Sequence, residues 1–320
     1  MTKLMLKDLK INETIDSCFV IKQKQVKKTV KQDDYLILKL ADASGEIEAR
    51  AWSGFAEVLP SLKEDGIVRV FADVGEYQGK KQLTIKKLKV AEPSEYDLAD
   101  FIRKTKKDIP QTWQKVKDIL NTIQDADLKK LADLFLNDEK ITADFIKAPA
   151  AQTMHSACIG GLLEHVSAML DIALFLAAQY PLNRDLLLLG VFLHDIGKLR
   201  ELEYNKMTFG YTDEGGLVGH ITIGIEMLQE KIRQIPDFSA QKKMLLEHLI
   251  LSHHGYTEFG SPKTPMIKEA AALHYIDNID AKLVGFDEFV GNNPTDTNWT
   301  IKAYMFDNNK LYIGDRKNNA

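Results

Sequence analysis

Leu186-Leu187-Leu188-Leu189-Gly190-Val191-Phe192-Leu193-His194-Asp195-Ile196-Gly197-Lys198 is an apolar helical pattern that closes on an imidazole and a carboxylate. An ionisable pair at the end of a buried helix is costly unless it is paired or bound to a metal, so His194 and Asp195 mark a site. Gly197 is expected to break the helix. Lys198 then sets a cation beside the pair, where it either holds a phosphate oxygen or caps the helix C-terminus.

Outward from this stretch, five of the eight histidines fall in order in the C-terminal two thirds: His165, His194, His220, His253 and His254, followed by Asp277. Imidazole with carboxylate suits Mn, Fe, Co, Zn or similar divalent ions, and one carboxylate can bridge two of them. Two metals about 3.5–4 Å apart can activate a water and hold phosphate oxygens during in-line attack, so hydrolysis of a phosphate ester is the natural use. His155, His248 and His274 are read as ordinary core or surface residues. Helical periodicity surrounds the site. It appears at Trp113, Val116, Ile119, Leu120 and Ile123, at Leu128, Leu131, Leu134 and Phe135, and over residues 162–180, 184–194, 221–232, 241–252 and 266–283. This part is all-α, and residues 299–306 and 310–313 around Asp307-Asn308-Asn309 form a small hairpin.

Before Glu92-Pro93-Ser94-Glu95 the period is two. Strands are expected at 15–26, 35–40, 46–52, 67–77 and 83–90, with turns at Asp42-Ala43-Ser44-Gly45 and Tyr77-Gln78-Gly79-Lys80 and a short helix at 54–62. Five strands with a helix between the third and fourth is the OB-fold order. Such barrels bind single strands through basic residues and stacked aromatic faces. Lys22, Lys24, Lys27, Lys28 and Lys31 supply the charge. Tyr35 and Tyr77, next to turns, are expected to be exposed, whereas at least two of Phe19, Trp52 and Phe71 are expected to fill the barrel.

The fold class is therefore multidomain: an N-terminal all-β OB-fold over 1–95, a helical connector over 96–150, an all-α domain over 151–290, and a C-terminal hairpin and tail over 291–320. Residues 1–95 hold 17 Lys and Arg against 15 Asp and Glu, a balance of +2, and the remainder 25 against 31, a balance of −6. The net charge of −4 argues against electrostatic coating of nucleic acid. No apolar run is read as reaching the roughly 18 residues needed to cross a bilayer, no signal peptide is apparent, and Cys18 and Cys158 form no CxxC knuckle. A soluble, cytoplasmic protein is expected.

His194-Asp195-Ile196-Gly197-Lys198, with Gly161-Leu162-Leu163-Glu164-His165 before it and Gly219-His220 after it, resembles the signature of the HD superfamily of metal-dependent phosphohydrolases. The segment from Ser252-His253-His254-Gly255-Tyr256 to Ser261-Pro262, then Glu269-Ala270 and Leu273-His274-Tyr275-Ile276-Asp277-Asn278-Ile279-Asp280-Ala281-Lys282, resembles the YhaM-type 3′-to-5′ exoribonucleases. The OB-fold ahead of the HD domain is that family's layout too. The resemblance implies one metal on His165, His194, Asp195 and Asp277 and a second on Asp195, His220, His253 and His254. Asp280 is the alternative to Asp277, as a ligand or as a residue orienting a histidine. Asp195 and, from its place beside the pair, Lys198 are read as the catalytic residues. Two divalent ions are the implied cofactors, Mn²⁺ first, with Co²⁺, Fe²⁺ or Mg²⁺ as alternatives.

The activity so implied is 3′-to-5′ exonucleolytic hydrolysis of single-stranded RNA, or of single-stranded DNA, to nucleoside 5′-monophosphates. Lys22, Lys24, Lys27, Lys28, Tyr35 and Tyr77 would contact the strand, no membrane is involved, and a homo-oligomer is allowed. Two rivals stand beside it. One is an HD-type nucleotide or cyclic-dinucleotide phosphohydrolase with a regulatory OB-fold, although Thr257 stands where the cyclic-dinucleotide enzymes carry proline after Gly-Tyr. The other is a nucleic-acid-binding protein with a vestigial HD site.

Overall fold

The structure is a computed structural model that describes residues 4–29, 31–77, 79–97, 100–151, 158–203, 210–293 and 295–314; Gln78 and His155 lie outside the described residues. The chain divides into two compact units, one ending at Lys104 and one beginning at Thr105.

The first unit is a closed five-stranded barrel of β1 (Thr14–Lys28), β2 (Asp34–Asp42), β3 (Gly45–Ala51), β4 (Ile67–Tyr77) and β5 (Lys80–Val90), in the order β1-β2-β3-β5-β4. Neighbours pair antiparallel except β3 and β5, which close the barrel in parallel at Glu48↔Gln82, Ala49↔Leu83 and Arg50↔Thr84. The period-two pattern explains the closure: Leu36, Leu38 and Leu40 of β2 and Val68, Val70, Ala72 and Val74 of β4 all point inward and are buried. Each buried leucine contributes about 1.5–3 kcal/mol.

The helix expected at 54–62 is absent. Gly54 sits at φ +72 and only a 3-10 turn forms, Leu59–Ser61, with Pro60 in it. Proline and a left-handed glycine leave too few residues to propagate a helix. Packing on the barrel also continues past Glu95, because Ala91 and Phe101 form a buried cluster with Cys18, Val20 and Ile67.

The second unit is helical: α1 (Ile109–Asn121), α2 (Ala126–Leu136), α3 (Glu139–Phe145), α4 (Gly161–Gln179), α5 (Arg184–Leu193), α6 (Lys198–Glu201), α7 (Asp213–Val218), α8 (His220–Ile232), α9 (Ala240–Ser252) and α10 (Lys268–Asn292). Short strands β6 (Leu202–Glu203) and β7 (Gly210–Tyr211) pair between α6 and α7. The start of α5 is set by Asn183, whose side chain accepts the Leu186 N–H. Every residue of α5 from Leu186 to Leu193 is buried, since the helix runs through the middle of the core and has no solvent face to make polar.

Among the described residues, one helix is long and apolar enough by length and composition to cross a membrane, α4, with mean hydropathy 1.6, although Glu164, His165 and Asp171 interrupt its apolar residues. Its residues Leu162, Leu163, Val166, Met169, Leu170 and Ala173 belong to the buried core, which accounts for that composition. The last helix runs well past the expected end at 283. The C-terminal hairpin is β8 (Trp299–Ala303) with β9 (Asn309–Tyr312), and Asp307 and Asn308 adopt positive φ of 54° and 59° at its turn. Asp and Asn tolerate that conformation better than other non-glycine residues.

Candidate metal centre and nucleic-acid face

Five imidazoles converge from the ends of four helices. α4 carries His165 in its second turn, α5 ends into His194 and Asp195, α8 begins with His220, and α9 ends into His253 and His254. α10 adds Asp277 and Asp280. Two groups form whose ligand atoms lie within 4.8 Å of one another: His165, His194 and Asp195, and His220, His253 and His254. Asp195 stands between them. Its Oδ2 is 3.2 Å from His194 Nε2, while its Oδ1 is 3.6 Å from His220 Nε2 and 3.7 Å from His253 Nε2.

Each imidazole is turned by a contact on its other nitrogen. Nδ1 of His194 donates to the Val191 carbonyl at 2.7 Å, that of His253 to Ile250 at 2.7 Å and that of His254 to Phe259 at 3.1 Å. A carbonyl only accepts, so these rings carry their proton on Nδ1 and present a bare Nε2 to the centre. His220 Nδ1 meets the Glu201 carboxylate at 2.9 Å, and His165 Nδ1 meets Asp280 at 2.6 Å. Asp277 lies on the opposite edge of His165, with Oδ1 3.3 Å from Nε2. The two aspartates of α10 therefore differ in placement. Asp280 orients His165 from behind, and Asp277 faces the centre.

Electrostatics follow the packing. Burial pushes the Asp195 carboxyl up, but Lys198 and then His194 outweigh it and hold it well below the usual carboxylate range. Burial likewise raises Asp277, and His165 beside it brings it down. Burial lowers His165, yet Asp277 and Asp280 carry it up to about 9; the same concentrated negative potential attracts a divalent cation. His253 and His254 are pushed down, chiefly by burial, which keeps their imidazoles neutral as ligands must be.

Whether this set fits metal ions can be read from its unmatched atoms. Among the described residues, the buried side-chain polar atoms without a hydrogen-bond partner are His194 Nε2, Asp195 Oδ1, His220 Nε2 and His253 Nε2. Leaving one such atom bare costs about 1–3 kcal/mol, and four converging on one place call for an electrophile there. Imidazole and carboxylate donors fit a divalent first-row ion.

Lys198 and Gly197 differ from expectation. Lys198 begins α6 rather than capping a C-terminus, and its Nζ donates to Asp195 Oδ2 and to the Ala150 carbonyl, both at 2.6 Å. Gly197 has ordinary helical angles and breaks nothing by conformation. Its role is clearance: a Cβ there would lie 2.0 Å from the His220 carbonyl oxygen and 2.7 Å from the Gly224 nitrogen.

Sequence reasoning missed Glu201, which sits in a charged run that reads as surface and yet is buried against His220. Its Oε1 accepts both the backbone N–H and the Nδ1–H of His220. Replacing Glu201 by alanine should weaken metal binding about 10–100-fold, with Glu201→Gln losing less because it keeps an acceptor; a metal titration measures both. His274, read as ordinary, is buried with Nδ1 on the His253 carbonyl at 2.8 Å. His248 accepts the Met266 N–H and lies outside the cluster.

On the barrel, alternation along β1 separates the candidate lysines. Lys27 pairs with Tyr35 in register and shares its outward face. Lys24 and Lys28, one step out of phase, point to the other side, where Lys24 donates to the Leu62 carbonyl and Lys28 pairs with Asp34 at 3.2 Å. Lys22 sits at a register shift and is half-buried, and that burial lowers its pKa. Of the three aromatics considered for the core, only Phe19 is there; Trp52 is 50% and Phe71 36% exposed. Trp52 stacks on Tyr35 with centroids 4.8 Å apart, and the Arg50 guanidinium lies 5.2 Å from the centre of the exposed Tyr77 ring. Lys27, Tyr35, Trp52, Arg50 and Tyr77 thus make a basic and aromatic strip centred on β2 and β3, the face with which OB-folds bind oligonucleotides.

Residues 162–282 match the family model described as the HD domain, and residues 21–91 match the one described as an OB-fold nucleic acid binding domain. The chain joins an OB-fold to an HD domain. Among solved structures, it is similar to the HD domain of the phosphodiesterase PgpH of L. monocytogenes, at 22% identity over 46% of this chain and 74% of that one, TM-score 0.30. It is also similar to a domain of replication protein A from Methanococcus maripaludis, at 19% identity over 29% of this chain and 99% of that one, TM-score 0.25. A third is asparaginyl-tRNA synthetase of Entamoeba histolytica, at 13% identity over 44% of this chain and 33% of that one, TM-score 0.24. The HD match contains all of the clustered histidines together with Asp195, Asp277 and Asp280, and the OB-fold match contains the aromatic strip.

Proposed function

We propose that this chain is a metal-dependent phosphodiesterase that shortens single-stranded RNA from its 3′ end and releases nucleoside 5′-monophosphates. The observation that carries the reading is the set of four buried, unpartnered ligand atoms gathered around Asp195 in an HD domain. His165, His194, Asp195 and Asp277 would hold one divalent ion, and Asp195, His220, His253 and His254 a second, Mn²⁺ being the first choice. Such ions, when bound, supply an activated water and stabilise charge on the phosphoryl oxygens. Lys198 keeps Asp195 ionised, Glu201 and Asp280 aim their histidines, and the buried helix ends keep bulk water from competing for the ligands.

The strip of Lys27, Tyr35, Trp52, Arg50 and Tyr77 supports a strand as the substrate, since stacking on aromatic rings tolerates any base. Attack from the 3′ end rests on the likeness of residues 252–262 and 269–282 to YhaM-type exoribonucleases. The test is incubation of 5′-labelled RNA with protein and Mn²⁺. A ladder shortening one nucleotide at a time, arrested by a blocked 3′ end, is expected; rapid cleavage of a circular strand would overturn the exonuclease reading.

Within the same assay, Trp52→Ala should reduce efficiency on long RNA roughly 5- to 150-fold, the worth of one base stack, and leave a dinucleotide almost unaffected. Equal loss on both substrates would remove the barrel from strand capture.

A further inference from the structure

Beyond His254 the chain folds into a closed turn that holds two aromatic rings beside the His220, His253 and His254 group. Gly255 starts it at φ +80, with the His274 ring 2.2 Å from where a Cβ would stand, so no side chain is accommodated there. A 3-10 turn, Thr257–Phe259, follows and ends at Gly260 with φ +82. The Ser261 N–H returns to the Tyr256 carbonyl at 3.2 Å, and the Ser261 hydroxyl reaches the Leu251 and Lys263 carbonyls at 3.1 and 2.7 Å.

This turn is tied to the site by the Phe259 carbonyl, which accepts the His254 Nδ1–H. The backbone that aims His254 therefore also positions the Phe259 ring. Tyr256 makes T-shaped contacts with His274, at 5.7 Å and 86°, and with Phe259, at 5.9 Å and 81°. Phe259 is 65% exposed, so much of its ring surface remains open to a stacking partner. One exposed apolar residue means little by itself. What singles out Phe259 is that its backbone is bonded to a ligand histidine and its ring is in contact with Tyr256, and a residue so anchored loses less freedom when a planar group stacks on it.

We propose that Phe259, in contact with Tyr256, seats the nucleobase of the nucleotide being released. The inference rests on the phosphodiesterase reading and adds to it the chemical class that the HD domain itself selects: esters carrying a planar base, over plain sugar or alkyl phosphodiesters. Stacking makes the seat indifferent to which base arrives. Tyr256 holds the turn and is a positioning residue.

The test crosses a protein change with a substrate change, using the full chain with Mn²⁺. Two labelled RNA strands are compared, identical except that the 3′-terminal nucleotide of one is abasic. The native protein should favour the complete strand about 5- to 150-fold in kcat/KM, Phe259→Ala should bring the ratio close to one, and Phe259→Trp should restore it. Calorimetric titration with AMP and with ribose 5-phosphate gives a readout that needs no turnover. AMP should bind more tightly than ribose 5-phosphate to the native protein and to Phe259→Trp, with the difference lost in Phe259→Ala. Equal losses on both strands and both ligands, or no effect of Phe259→Ala, would overturn the seat. If the native protein cleaves neither strand while the AMP preference persists and depends on Phe259, the phosphodiesterase reading falls and the seat stands.

Discussion

Asp195→Ala should abolish hydrolysis, by on the order of a thousandfold or more, because residues that merely orient ligands are already worth about 10–100-fold and Asp195 faces both ligand groups. Metal analysis should show both ions lost; full occupancy in the variant would sink the bridging role. A second effect is expected from Lys198, whose ammonium is largely buried and paired with Asp195 at 2.6 Å. Removing one partner of a buried pair strands the other, at about 3–5 kcal/mol, so Asp195→Ala should also melt earlier. Asp195→Asn with Lys198→Met should recover much of that stability while remaining free of metal and inactive. If the double variant melts no higher than Asp195→Ala, Lys198 is not the origin of the loss.

Gly197→Ala is expected to be nearly as damaging for a different reason. Its methyl group would meet the His220 carbonyl at 2.0 Å and the Gly224 nitrogen at 2.7 Å, and backbone cannot rotate away as a side chain can. α8 must shift, taking His220 with it. Overpacking of this kind costs about 1–3 kcal/mol, which calorimetry would register as a lower Tm. Metal binding should fall selectively: the His220, His253 and His254 group loses a ligand, while His165, His194 and Asp277 keep their places. A variant with about one ion per chain and little activity is the expected outcome. Two ions and native activity would mean that the α6 and α8 backbones separate at little cost.

The barrel and the order of the ligands were legible in the sequence because both are written in local patterns. Period two placed all five strands to within a few residues, and the His194-Asp195 pair stood out by ending an apolar helix. The helix expected at 54–62 failed because Gly54 and Pro60 outweighed a weak periodicity. The parts that could not be read depend on contacts between distant residues. Glu201 reaches His220 across α7, and Lys198 turns to Asp195 and the Ala150 carbonyl. Gly197 looked like a helix breaker because glycine usually signals conformation, whereas here it signals closeness to another backbone. At least two of Phe19, Trp52 and Phe71 are expected in the barrel, yet Trp52, which immediately follows β3, stacks on the outward-facing Tyr35 of β2.

The anchoring of the five imidazoles is uneven, and that bears on how such a centre can change over generations. His194, His253 and His254 are held by carbonyls of Val191, Ile250 and Phe259, which belong to the backbone and survive almost any substitution at those positions. His165 and His220 are held by the carboxylates of Asp280 and Glu201, which a single codon change can alter. The first group thus holds one carbonyl-anchored histidine beside the adjustable His165, and the second holds two beside the adjustable His220. Drift at positions 201 and 280 can retune the basicity of one histidine at a time, and with it metal preference, without dismantling the site around it.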